Sequence, residues 1–203
     1  MLDMAVIRIG MDPTLFTLGP LQLTWHGVFT FLGILTVIVL AFRRARQHGI
    51  PEDAIYNTAA WGIVGGILGA RLVHVVDFWS YYLANPFQIF NILGGGIGLI
   101  GGIVGAAIAG TIYLWRSRLP IGLALDVTAP GIPLGQWVGR LGDIINGEHL
   151  AVATDLPWSF LYIHPGSPSF GMAPQHPAIV YEMIWDLLIA GLLFWLFGRL
   201  RPA

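Results

Sequence analysis

Apolar residues run through this chain in long blocks, and the polar ones gather between them. Five blocks of roughly twenty residues stand out, near 22–42, 55–78, 94–115, 121–145 and 178–198. A hydrocarbon layer about 30 Å thick takes roughly that length of helix to cross. The pattern therefore predicts an all-α, polytopic integral membrane bundle of about five transmembrane helices, with residues 1–203 forming a single domain. Residues 1–21 read as an outer-face segment ending in the turn signal Gly19-Pro20. Residues 147–176 read as an outer loop, where Pro157, Pro165, Pro168 and Pro174 predict ordered turns. Two blocks are unusual. The fourth is interrupted by Pro130 and Pro133, and non-helical backbone at membrane depth is tolerated where it lines an enclosed or watery cavity. The third repeats glycine at four-residue spacing (Gly94 and Gly98, Gly98 and Gly102, Gly101 and Gly105), which lets transmembrane backbones approach closely. A nucleotide-binding loop lacks its Lys-Ser/Thr and its preceding strand here.

Composition supports the membrane reading. Only 10% of residues are charged, against roughly 25% in soluble domains, and mean hydropathy is +0.73. The first twenty residues contain Asp3, Arg8, Asp12 and Pro13, which argues against a cleavable signal peptide. With no cysteine, disulfides, thiolate metal sites and a cysteine nucleophile are excluded; no metal or cofactor is expected. A net charge of −1 gives no bulk basic character for nucleic acid. Arginines follow the first, third and last blocks (Arg43, Arg44 and Arg46; Arg116 and Arg118; Arg199 and Arg201), while the connections at 79–93 and 147–176 have none. That alternation predicts an outer amino terminus and a cytoplasmic carboxyl terminus in a bacterial inner membrane. Trp79, Tyr81, Tyr82, Trp158 and Tyr162 are placed as interfacial aromatics.

The candidate chemistry lies in Gly139-Arg140-Leu141-Gly142-Asp143-Ile144-Ile145-Asn146-Gly147-Glu148. Charged side chains at bilayer depth usually pair, face a cavity or bind something. Arg140 and Asp143 stand three apart, so on a helix they share a face, which Asn146 continues. Two readings follow: a self-neutralising pair, or an anion site in which Arg140 grips a lipid phosphate while Asn146 and Glu148 contact the headgroup. Arg71, His74 and Asp77 repeat the i, i+3 spacing; they read either as an interfacial anchor or as an added headgroup contact through Arg71, with Asp77 neutralising an arginine. His26 beside Trp25 reads as an interfacial residue, and a lone histidine there or at His74 does not specify haem or chlorophyll. Glu182 and Asp186 share a face of the last block and need an arginine between them, with Arg71 or Arg140 as partner.

On these residues the chain resembles the bacterial prolipoprotein diacylglyceryl transferases. The likeness runs over nearly the whole length: Leu18-Gly19-Pro20 through Trp25-His26-Gly27, Gly69-Ala70-Arg71-Leu72, the Gly139–Glu148 signature, and His176-Pro177 with Tyr181-Glu182. The resemblance implies transfer of diacylglyceryl from phosphatidylglycerol, an anionic phospholipid, to the cysteine thiol of a prolipoprotein. It implies Arg140 as the phosphate clamp, with Glu148 and Asn146 positioning glycerol or assisting proton transfer.

The chain also departs from the family pattern. His26 stands for the usual tyrosine, Ile100 for a histidine before Gly101-Gly102, and Asp143 for the signature's first asparagine. His149-Leu150-Ala151-Val152 follows Glu148 where a glycine and often an arginine are usual, and Ala178-Ile179-Val180 replaces a Ser-Gln pair. The resemblance also implies two further spans with another arginine beyond residue 203. Two functional expectations result. In the first, the chain is a catalytically degraded, phospholipid-binding accessory subunit of a larger membrane complex. In the alternative it is an active transferase built on Arg140, Glu148 and His26 as replacement base.

Overall fold

The computed structural model describes residues 6–19, 21–92, 95–96, 98–197 and 199; Asp3, Pro20, Gly94 and Arg201, used above, lie outside the described residues. The chain folds as two compact units, Met1–Ala41 with Asp126–Pro202, and Phe42–Leu125. In chain order the elements are β1 (Ile7–Ile9), β2 (Thr14–Leu18), β3 (Leu21–Thr24), α1 (Trp25–Gln47), α2 (Glu52–Asp77), α3 (Trp79–Ala84), a 3-10 turn (Pro86–Phe90), α4 (Leu99–Arg116), α5 (Ile121–Thr128), α6 (Gly131–Asn146), β4 (Phe160–Tyr162) and α7 (Ala178–Phe197). Among the described residues four helices are long and apolar enough to cross a membrane: α1, α2, α4 and α7.

The fourth expected span is two helices. Pro130 has no N–H to continue the α5 ladder, so α5 stops at Thr128 and α6 begins at Gly131. Pro133 falls in the first turn of α6, where its missing donor would have had no intrahelical partner anyway. The sixteen residues of α6 are fewer than the roughly twenty a full crossing takes.

In the second unit α2 packs on α4 through glycine. A Cβ on Gly105 would meet the Gly65 carbonyl and, at 3.0 Å, the Gly69 Cα; one on Gly101 would meet the Gly69 carbonyl and Val73. The expected close approach of α4 is therefore present, and its counterpart is a second glycine row on α2, Gly62, Gly65, Gly66 and Gly69. Gly98 N–H donates to the Ala70 carbonyl at 2.8 Å, which fixes the start of α4 against α2.

In the first unit the segments before α1 and after α6 carry short strands that hydropathy gave no sign of. β1 pairs in parallel with β4, Ile7 opposite Phe160 and Ile9 opposite Tyr162. β2 and β3 form an antiparallel hairpin leading into α1. At three to five residues each, these strands are too short to generate a clear alternating signal. In the same unit α6 packs against α7 and lies close to α1, where a Cβ on Gly135 would meet the Gly33 carbonyl and Val37.

Gly105→Ala forces the α2–α4 seam apart and is expected to cost about 1–3 kcal/mol, the usual penalty for overpacking. Gly191→Ala on α7, where an added methyl meets nothing within 4 Å, is the control. Denaturant titration in mixed micelles should separate the two variants; equal midpoints would show that the seam is not tightly packed.

Candidate functional site

Four segments of the first unit meet at the carboxyl-terminal half of α6. On α6 itself, Arg140 Nη1 donates to Asp143 Oδ2 at 2.9 Å, the i, i+3 pair read from the spacing. α1 brings His26, whose Nδ1 lies 2.5 Å from Asp143 Oδ1 and 3.2 Å from Glu148 Oε1. α7 brings Glu182, whose Oε2 lies 2.6 Å from Arg140 Nη2. The loop after α6 brings Glu148 and His149; His149 Nε2 stands 3.2 Å from Asp143 Oδ2 and 3.3 Å from Arg140 Nη1. Asn146 Nδ2 donates to Glu148 Oε2 at 2.7 Å. Asp143 is buried at the centre, whereas His26, His149 and Glu148 are each about two-fifths exposed.

Backbone details place these groups. A Cβ on Gly142 would meet His26 Cα and the Trp25 carbonyl at 2.8 Å, so glycine there lets α1 lie against α6 with His26 over Asp143. Gly147 terminates α6 with φ of 71°, a left-handed cap whose N–H returns to the Asp143 carbonyl at 2.9 Å. The last carbonyls of α6 take side-chain donors from the segment that follows it. Tyr162 donates to Ile144 O at 3.0 Å, Ser167 to Asn146 O at 3.1 Å, and Ser169 to Gly147 O at 2.6 Å. Burial, and then the nearby Asp143 carboxylate, push the Tyr162 phenol up to about 12, so it stays protonated and donating throughout the neutral range.

The guanidinium of Arg140 is 17% exposed and is not fully satisfied: its Nε is buried without a hydrogen-bond partner. Asp186, one turn beyond Glu182, is also buried, with Oδ2 unpartnered, and lies within electrostatic reach of Arg140 and Glu182. Of the two arginines suggested for Glu182, Arg140 is therefore the partner.

Arg71 is differently employed. In the second unit its Nε donates to Ile89 O and its Nη1 to Gly95 O and Gly96 O, each at 2.8 Å, and its Nη2 donates to Gln88 O. Its guanidinium carbon sits 5.2 Å from the centre of the buried Tyr82 ring. Four carbonyls and a ring face occupy this cation, which secures the connection between α3 and α4. Asp77 is exposed and forms no ion pair among the described residues, so the expected neutralisation of an arginine by Asp77 does not form. Tyr82, placed at an interface from sequence, is instead buried against Arg71 and His74. His149 was missed as a site residue. Its position next to Glu148 was the available signal.

The family model described as prolipoprotein diacylglyceryl transferase matches residues 13–203. The chain belongs to that family. It is 37% identical over 189 residues to the phosphatidylglycerol–prolipoprotein diacylglyceryl transferase of Synechococcus elongatus, covering 92% of this chain and 65% of that protein. The same enzyme of Clostridioides difficile is 37% identical over 186 residues, 91% of this chain and 72% of that one. That of Chloroflexus aggregans is 36% identical, over 93% and 65%. The chain thus spans about two thirds of the length of the relatives it matches. As a family member with four apolar helices among its described residues, it is a multi-pass protein of the bacterial inner membrane.

Tyr162→Phe leaves the Ile144 carbonyl without its donor and is expected to cost about 1 kcal/mol. Glu182→Ala removes the acid from Arg140 Nη2 and is expected to lower yield and unfolding midpoint as much as it lowers activity. Unfolding followed in detergent checks both; a Glu182→Ala protein that inserts and purifies normally refutes a structural role for the pair.

Proposed function

We propose that the chain transfers diacylglyceryl from phosphatidylglycerol to the cysteine thiol of a prolipoprotein, with Arg140 as the phosphate clamp. The observation carrying this is that one small cluster holds both an incompletely satisfied guanidinium and, within 3.3 Å of its ion-paired groups, solvent-accessible bases. The relatives are named for this reaction, and the contacts around Arg140 support the roles proposed for its neighbours.

In this reading the thiol, with an ordinary pKa near 8.5, gives its proton to the His26–Glu148 pair. The thiolate sulfur attacks the glycerol carbon that bears the phosphate ester. A C–S bond forms, the C–O bond breaks, and the electron pair leaves with glycerol phosphate. Arg140 meets the developing negative charge in a low-dielectric setting, where a fixed cation is worth most. Glu182 and Asp143 hold the guanidinium plane in place until the phosphate displaces part of their hold. Asn146 keeps Glu148 turned toward His26. Arg71 is left out of headgroup binding because its donors are already used on carbonyls.

A second reading is favoured by one residue. Ile100, where the resemblance places a histidine, is an exposed apolar side chain near the start of α4 and cannot move a proton. On that reading the cluster binds the lipid without turning it over, and the chain serves as an accessory subunit beside a partner membrane protein.

Incorporation of labelled diacylglyceryl from phosphatidylglycerol into a lipobox peptide decides between them. Active protein is expected to label the peptide, with Arg140→Ala reducing the rate at least a hundredfold and Arg140→Lys restoring little, since lysine lacks the bidentate fork. Saturable phosphatidylglycerol binding with no transfer, together with co-purification with a fixed partner in mild detergent, would establish the second reading instead.

A further inference from the structure

We infer that the β2–β3 hairpin is seated in the boundary layer of the lipid bilayer, its Phe16, Leu18 and Leu23 face turned to the acyl chains at the amino-terminal end of α1.

The strand register gives the hairpin two unlike faces. Phe16 stands opposite Leu23, and Thr17 opposite Gln22. Paired residues share a face and neighbours along a strand alternate, so Phe16, Leu18 and Leu23 lie on one side and Thr17 and Gln22 on the other. The apolar side is uncovered: Phe16 is 54% exposed, Leu18 70% and Leu23 36%. Polar groups near the base of the hairpin are tied within the chain. Gln22 Nε2 donates to Thr14 Oγ1 at 2.5 Å, and Thr14 N–H donates to Asp12 Oδ1 at 2.8 Å. A two-stranded hairpin needs an apolar surface to pack on, and among the described residues neither strand packs extensively on another element.

The surrounding chain identifies that surface as lipid. No Asp, Glu, Lys or Arg occurs between Asp12 and Arg43, a stretch that takes in both the hairpin and most of α1. The uncharged part of α1, Trp25–Phe42, covers about 27 Å at roughly 1.5 Å per residue, short of the roughly 30 Å hydrocarbon layer. The membrane face that α1 presents through Phe31, Leu32 and Leu35 therefore continues along the chain into the hairpin. The junction is held firmly. Trp25 N–H donates to the Pro13 carbonyl at 3.1 Å, and Gly27 N–H to Thr24 Oγ1 at 3.1 Å. The backbone limits how deep the hairpin goes. A two-stranded sheet leaves one edge of each strand open, which hydrocarbon does not tolerate, so the hairpin stays where headgroups and water reach those edges.

One consequence rests on the transferase reading. The hairpin runs directly into Trp25 and His26, so its seating sets the level of His26 and, through Asp143, of Arg140 against the phosphate layer.

The chain has no cysteine, so a single introduced one carries a nitroxide label without interference. The whole chain is placed in phosphatidylcholine bilayers with labels on Phe16→Cys, Leu18→Cys and Thr17→Cys. Phe31→Cys on α1 is the lipid reference, and Asp155→Cys, at an exposed residue after α6, is the water reference. Labels at 16 and 18 are expected to collide with oxygen and to be several-fold less accessible to a water-soluble nickel chelate than the label at 155. They should lie shallower than the label at 31, and the label at 17 should follow that at 155. Nickel access at 16 and 18 equal to that at 155, or no difference between 17 and 18, overturns the inference. Low access to both reagents at 16 and 18 shows protein instead of lipid on this face and overturns it equally. Phe16→Ser combined with Leu18→Ser should leave the unfolding midpoint in detergent unchanged. In bilayers the same pair should raise KM for phosphatidylglycerol several-fold while kcat holds; an unchanged KM rejects the depth-setting role alone. Labels seated in lipid on a chain that transfers nothing uphold the hairpin and reject the transferase reading.

Discussion

The Asp143 carboxylate is the point on which the first unit turns. It is buried, and its two oxygens hold Arg140 of its own helix and His26 of α1, with His149 beside them. Removing one partner of such a pair leaves a desolvated charge exposed to its neighbours, a loss of about 3–5 kcal/mol in buried cases. Replacing the whole set by apolar residues would be far milder. The ions therefore do little for stability by being present, and much to specify one arrangement of α1, α6 and α7. An aspartate at this place ties a histidine to an arginine. An asparagine could accept from one and donate to the other, but it would bring no charge to balance them.

Glycine and the segment after α6 make that arrangement possible. Gly142 brings the two helix backbones close enough for His26 to reach Asp143, and Gly147 ends α6 so that Glu148 and His149 fold back over it. Three hydroxyls then take the carbonyls that the ended helix leaves open. Neutral donors cap this helix end without adding charge beside a cluster already rich in carboxylates. A lysine or arginine there would satisfy the same carbonyls and compete with Arg140 for Asp143.

Much of this was legible in the sequence. Apolar block length gave α1, α2, α4 and α7, glycine spacing gave the α4 packing face, and the i, i+3 spacing gave the Arg140–Asp143 pair. The Glu182 partner was narrowed to two arginines, and the structure selects Arg140. What could not be read was anything joining distant segments. His26 looked like a lone interfacial residue because its partners lie more than a hundred positions away. Arg71 looked available because backbone carbonyls, its actual partners, leave no mark in a sequence. The fourth block read as one span because hydropathy averages across Pro130, whereas the hydrogen-bond ladder cannot. The strands were hidden by their brevity, three to five residues each.

The pairing of β1 with β4 bears on how the protein is made. Ile7 has no strand to bond until Phe160 has left the ribosome. At about 5–20 residues per second that is a wait of roughly ten to thirty seconds. Throughout it the early strand presents open N–H and carbonyl groups while the intervening helices pass through the translocon one after another. The β1–β4 pair therefore closes late in synthesis, once both distant strands exist.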